Sequence, residues 1–191
     1  MKLFIFSLFI TFLSNSAFSD DAIEMATSNL CTTDEQILFS CQLWNKKIVS
    51  ICASKKDQLN PFAEYRYGSL KKTELIYQAS AKYPQNKIYL LTTQQKSELK
   101  PSYIIFFQNH NYGYSLDIPY TSSTNEYDNP KLFVNNPNWA DADWNEYGCV
   151  ANDSDKKWII NLLPNTPELT NATTHDFDKW VKKFGKRSYA P

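Results

Sequence analysis

The chain has 191 residues, with 20 basic and 20 acidic side chains and a formal net charge of zero. That length suffices for one domain with a sizeable core. Balanced charge, without a basic patch or a block of like charge, excludes the electrostatic footprint of a nucleic-acid binder and of a protein held to a membrane surface by charge.

Residues 1–19, MKLFIFSLFITFLSNSAFS, place Lys2 before an apolar run from Leu3 to Leu13 and end in Ala17-Phe18-Ser19. The run is too short to span a bilayer, and small residues stand where a signal peptidase reads, so the segment reads as a secretory signal. No cysteine at the cleavage point indicates a lipid anchor. The expected mature chain is a single domain, 20–191, with no membrane span after cleavage. Four cysteines follow, Cys31, Cys41, Cys52 and Cys149. An even count behind a signal reads as two disulfides made in an oxidising compartment, periplasmic or secreted.

Residues 20–29 are polar and small and read as a flexible lead-in. The stretch 39–54, FSCQLWNKKIVSICAS, reads as a hairpin. Ile37, Phe39, Cys41 and Leu43 alternate with polar neighbours, and Val49, Ile51 and Ala53 alternate on the return. A turn at Asn45, Lys46 and Lys47 would set 43 opposite 49, 41 opposite 51 and 39 opposite 53. Cys41 then faces the core and Cys52 the other side. This register removes the pairing 41–52 with 31–149 and leaves two: 31–41 with 52–149, or 31–52 with 41–149.

A second hairpin is expected over 64–77 with its turn near 70–72, and a strand over 88–91. A third hairpin runs through Tyr103-Ile-Ile-Phe-Phe107 to a turn at 109–111. It returns as Tyr112, Tyr114, Leu116 and Ile118, with Pro119 closing the strand. Residues 121–138 read as a long loop interrupted by the short run Leu132-Phe-Val134, and 158–163 as a last strand. Then the period changes. Phe177, Trp180, Val181 and Phe184 lie on one helix face, Thr173 and Asp176 have capping-box spacing, and Gly185 is placed to stop the helix. That face is expected to pack on a sheet. Each of the four glycines follows an aromatic residue, a pattern of bulges and close backbone approaches. The fold class read from this is mainly β, an antiparallel sandwich or open barrel with a C-terminal amphipathic helix.

The segments FSC…KxVSxCAS and YRYG carry a resemblance. Phe39, Ser40, Cys41, Lys47, Val49, Ser50, Cys52, Ala53, Ser54, Tyr65, Arg66, Tyr67 and Gly68 match the pattern of a group of small exported bacterial proteins, over roughly residues 31–77. The resemblance implies export and a β-rich fold and carries no activity with it. The architecture is also similar in kind to periplasmic lysozyme inhibitors, small disulfide-linked β-barrels. Their Ser-Gly inhibitory loop has no copy here, so this is an analogy of fold.

Catalytic and metal signatures are sparse. His110 and His175 are the only histidines, one in a turn and one at a helix start, with no second ligand near in sequence, so no metal or cofactor is expected. Asp141, Asp143 and Glu146 lack the glycine and further ligands of a calcium loop and read as a solvated acidic turn. No nucleophile elbow, HExxH or phosphate-cradling loop occurs. Trp139, Trp144 and Tyr147 are the candidate binding rings, able to anchor a protein partner or stack on a sugar. Arg66 is a further candidate, with a salt bridge as its ordinary alternative. The expected function is a binding protein of inhibitor or immunity type acting on an envelope protein. A glycan or cell-wall binding module and a carboxylate-dependent hydrolase are the alternatives.

Overall fold

The computed structural model describes residues 28–56, 59–93, 102–119, 129–136, 145–150, 158–163 and 166–184. In chain order the strands are β1 (Glu35–Gln42), β2 (Ile48–Ser54), β3 (Phe62–Ser69), β4 (Lys72–Ser80), β5 (Tyr89–Thr93), β6 (Ser102–Asn109), β7 (Tyr112–Ile118), β8 (Lys131–Asn135), β9 (Asn145–Gly148), β10 (Trp158–Ile160) and β11 (Thr170–Asn171). They are followed by helix α1 (Thr174–Phe184). The first sheet has the order β10-β1-β2-β3-β4, the second β11-β5-β6-β7-β8-β9. All pairings are antiparallel except β11 with β5. The two sheets pack face to face and do not close into a barrel, which makes the fold a sandwich with one C-terminal helix. The expected signal segment, 1–19, lies outside the described residues. Among the described residues no helix is long and apolar enough to cross a membrane.

The inter-sheet core is built by side-chain alternation. Phe39, Cys41, Val49, Ile51, Ala63, Tyr65 and Tyr77 come from the first sheet, and Leu90, Tyr103, Ile105, Phe107, Leu116, Ile118 and Leu132 from the second. Strand β6 is apolar on both faces for a reason. Its odd residues enter this core, while Phe106 enters a second cluster with Leu91, Phe177, Trp180 and Phe184 beneath α1. A continuous apolar run is what a strand covered on both faces requires. The helix thus packs on the outer face of the second sheet, as its periodicity predicts. Thr173 caps it: its amide and hydroxyl donate to Asp176 Oδ2 (2.9 and 2.6 Å), and the Asp176 amide donates back to Thr173 Oγ1 (3.2 Å). Gly113 lets this happen, since a Cβ there would stand 2.5 Å from the Phe184 ring. Gly68 marks a bulge, where a Cβ would strike the Lys72 carbonyl.

The central hairpin departs from the predicted register. Cys41 faces Val49 and Phe39 faces Ile51, a shift of two residues. The turn lies one residue earlier than expected, at Trp44, Asn45 and Lys46. The Lys46 amide donates to the Leu43 carbonyl (2.9 Å), Lys46 takes a left-handed φ of 65°, and Asn45 Oδ1 accepts from the Lys47 amide (3.0 Å). This is a type I turn closed by a left-handed residue, a common three-residue hairpin connection. A two-residue shift preserves which face each side chain occupies, so Cys41 remains on the core face.

A bulge at Leu38 then changes parity. Ile37 pairs with Cys52 and Phe39 with Ile51, leaving Leu38 as the extra residue, turned into the core. The alternation predicted an inward Ile37. The bulge instead sets Ile37 and Glu35 on the outer face with Cys52. The disulfides are Cys31–Cys52 and Cys41–Cys149, and no described cysteine is free. The structure therefore selects one of the two pairings the sequence left open. Two further corrections concern extent. The run 132–134 is a full strand inside the second sheet, not an interruption of a loop, and the last strand of the first sheet stops at Ile160. Ser28 and Asn29 are tied down: the Ser28 carbonyl accepts from Ser40 Oγ (3.1 Å) and Asn29 Oδ1 from the Cys31 amide (2.9 Å).

Candidate functional site

The predicted binding residues part company in the structure. Trp139 and Trp144 lie outside the described residues, as do Asp141 and Asp143. Arg66 and Tyr147 are described and are not brought together. Arg66 projects from the outer face of the first sheet, where residues 28–35 cross over it. Its Nε donates to Glu64 Oε1 (2.8 Å), Nη2 to Glu35 Oε1 (2.6 Å), and Nη1 to Glu35 Oε2 (2.8 Å) and the Leu30 carbonyl (2.6 Å). All three side chains are about nine-tenths covered. Burial alone would lower the arginine's pKa, but the hydrogen bonds to the two carboxylates outweigh it and raise it. This is the ordinary outcome for an arginine flanked by acids, and it ties the crossing segment to the sheet.

Tyr147 belongs to a different constellation. Where β3 and β4 face β7, β8 and β9, the two sheets part and leave a slot of about 290 Å³. Tyr65, fully buried, makes its floor; Tyr67, Tyr114 and Tyr147 line it with Leu75, Leu132, Val134 and Glu74. The rings are fixed from behind. Phe107 stacks on Tyr114 at 4.8 Å between centroids and meets Tyr65 at 4.9 Å. Burial raises the pKa of the Tyr65, Tyr67 and Tyr114 phenols, so their hydroxyls stay protonated at neutral pH. Tyr67 Oη accepts from Asn45 Nδ2 (3.0 Å), and Lys47 pairs with Glu74 (2.5 Å), so the turn of the first hairpin frames the slot.

That turn also presents Trp44, 53% exposed and the largest exposed ring among the described residues. Its ring lies against Gly148, where a Cβ would stand 2.6 Å from it, and its amide donates to the Gly148 carbonyl (3.0 Å). The glycine therefore makes room for the Trp44 ring on the outer face of β9, opposite the face from which Tyr147 lines the slot. A bridge between Leu43 and Cys149 and the Cys41–Cys149 disulfide lock β1 to the end of β9 at this corner. The result is a braced aromatic corner: an exposed indole on the outer face of β9 and a tyrosine-lined slot between the sheets, with few rotamers left to freeze on binding. An apolar or aromatic side chain fits the chemistry of such a slot, and the phenol hydroxyls offer hydrogen bonds at its mouth.

Sequence reasoning found Tyr147 and missed Trp44, Tyr67 and Tyr114. Placing the turn one residue late put Trp44 in a strand; a tryptophan within a three-residue turn has no path to the core, and that was the available signal.

One group of potential metal ligands occurs among the described residues, Cys31, Glu35 and Cys52. Its sulfurs are bonded to each other and Glu35 is engaged by Arg66, so it offers no thiolate. No protein-family model, curated protein or solved structure matches the chain.

Proposed function

We propose that this chain is an exported binding protein, periplasmic or secreted, of inhibitor or immunity type, which occupies a protein of the cell envelope. The observation that carries the reading is the tyrosine-lined slot, on a corner stapled by Cys41–Cys149 that also carries exposed Trp44. Rigid aromatic anchors around a desolvated pocket are the features that concentrate binding energy in protein interfaces. Two disulfides fit an oxidising compartment outside the cytoplasm. In this reading the partner inserts an apolar or aromatic side chain between Tyr67 and Tyr147 and also contacts Trp44.

The test is an affinity capture from an envelope extract with the mature, oxidised protein, run beside Trp44→Ala and Tyr147→Ala. One stoichiometric protein is expected from the unsubstituted chain. Each variant should bind it about 30-fold more weakly, the loss typical of an interface hot spot, with an unchanged far-ultraviolet circular dichroism spectrum. Recovery of glycan alone, or a partner indifferent to both variants, would overturn the reading.

A further inference from the structure

A second cavity lies apart from the slot and exceeds it in volume. It is a cleft of about 560 Å³ on the helix side of the second sheet, where α1 meets the β4–β5 corner and the β6–β7 turn. Its charge is one-sided. Lys87, Lys179 and Lys183 line it against a single carboxylate, Asp176, which is hydrogen-bonded in the Thr173 cap. None of the three lysines is in an ion pair among the described residues. Lys183 gives one of its three donors to Gln108 Oε1 (2.7 Å). A chain of zero net charge has thus gathered an excess of cations around one concavity.

The rest of the lining is of two kinds. Half-buried Tyr89, stacked on Phe106 at 5.1 Å, and Trp180 supply ring surface. The Trp180 indole N–H is already spent on the Phe107 carbonyl (3.2 Å), so this wall acts through its apolar faces. Gln85 and His110 supply further hydrogen-bonding groups; His110 uses Nδ1 on Asn109 Oδ1 (2.8 Å), which leaves Nε2. Rings for a flat apolar face, amides and imidazole for hydroxyls, and lysines for a negative group together describe one ligand chemistry.

We propose that this cleft binds an anionic saccharide, a sugar bearing a carboxylate or a phosphate. The anion pairs with Lys179 and Lys183, and the sugar ring lies along Tyr89. The site stands apart from the tyrosine-lined slot and does not depend on the protein-binding reading.

The experiment is a titration of the full mature, oxidised protein at low ionic strength, followed by the nuclear magnetic resonance signals of the Trp180 indole N–H and the Lys87–Tyr89 amides. The probes are glucuronate, glucose 6-phosphate, glucose and inorganic phosphate. The proposal expects saturable shifts with glucuronate or glucose 6-phosphate, and weaker binding of glucose. The favoured probe reveals whether carboxylate or phosphate is preferred. Lys179→Ala with Lys183→Ala should weaken the favoured probe about tenfold or more, and Tyr89→Leu should weaken it independently. Circular dichroism checks that both variants fold. The proposal fails if no probe shifts these signals or if glucose binds as well as the charged sugars. It also fails if inorganic phosphate matches glucose 6-phosphate and is indifferent to Tyr89→Leu, the signature of simple ion adsorption.

Discussion

Arg66 illustrates how a single side chain can look like a recognition residue and serve as a structural one. Its donors are divided among Glu35, Glu64 and the Leu30 carbonyl, all largely out of water. Removing the cation leaves two carboxylates facing each other without compensation, which costs more than a surface pair returns. Arg66→Leu is expected to lower unfolding free energy by about 3 kcal/mol in urea titrations. Replacing Glu35 and Glu64 with Gln as well should recover part of that loss; no recovery would mean the arginine's packing, not its charge, is what matters. Glu35 reaches Arg66 only because the bulge at Leu38 reverses its facing. A strictly alternating strand would have aimed Glu35 at the core. Neither the bulge nor the ion pair is written in the local pattern, since nothing in Ile37-Leu38-Phe39 says which apolar residue will be the extra one.

At the scale of elements, legibility followed periodicity. Helix α1 was readable because its apolar spacing, its cap and the basic residues of its last turn all agree. The β6–β7 hairpin was readable for the same kind of reason: a doubly apolar strand, then strict alternation, with His110 in the left-handed region at the turn (φ 53°). What escaped was set by context. The five-residue β8 sits in a polar stretch and is fixed by pairing to β7 and β9, and β11 pairs through only two residues. The tyrosine slot combines residues from five strands and could not be assembled from any one segment. The cap of α1 carries a pH dependence. The Thr173 hydroxyl and amide hold the Asp176 carboxyl below its ordinary value near 3.8, with help from Lys179 and His175. A depressed carboxylate pKa stabilises the fold above the unfolded value and loses that effect as pH falls through the folded one. The gap in thermal midpoint between the natural chain and Asp176→Asn should be full at neutral pH and should narrow as pH drops below about 4. A gap that stays constant down to acid would show that the cap works through geometry alone.

For the whole molecule, the two disulfides do different jobs. Cys31–Cys52 closes a short loop, a separation of 21, and clamps the segment that crosses Arg66; Cys41–Cys149 spans 108 and ties the first sheet to the second. In the chain-entropy account the closures contribute about 3 and about 5 kcal/mol. Cys41→Ser with Cys149→Ser should therefore lower the urea midpoint more than Cys31→Ser with Cys52→Ser, both measured without reductant. The opposite order would assign the larger role to the clamp over Arg66 and Glu64. Trp44 and Tyr147 flank the two ends of the longer bridge in sequence. Losing it should loosen the aromatic corner before it unfolds the sandwich.

The Cys41–Cys149 bond closes a covalent ring that runs from the end of β1 through β9. An endopeptidase that cuts this ring once opens it but releases nothing, because both new ends remain attached through the sulfurs. The strands that frame the aromatic corner would stay on one molecule, and only a second cut or a reductant could part them. That is a form of durability separate from folding stability, and it lasts wherever the compartment is oxidising enough to keep the bond closed.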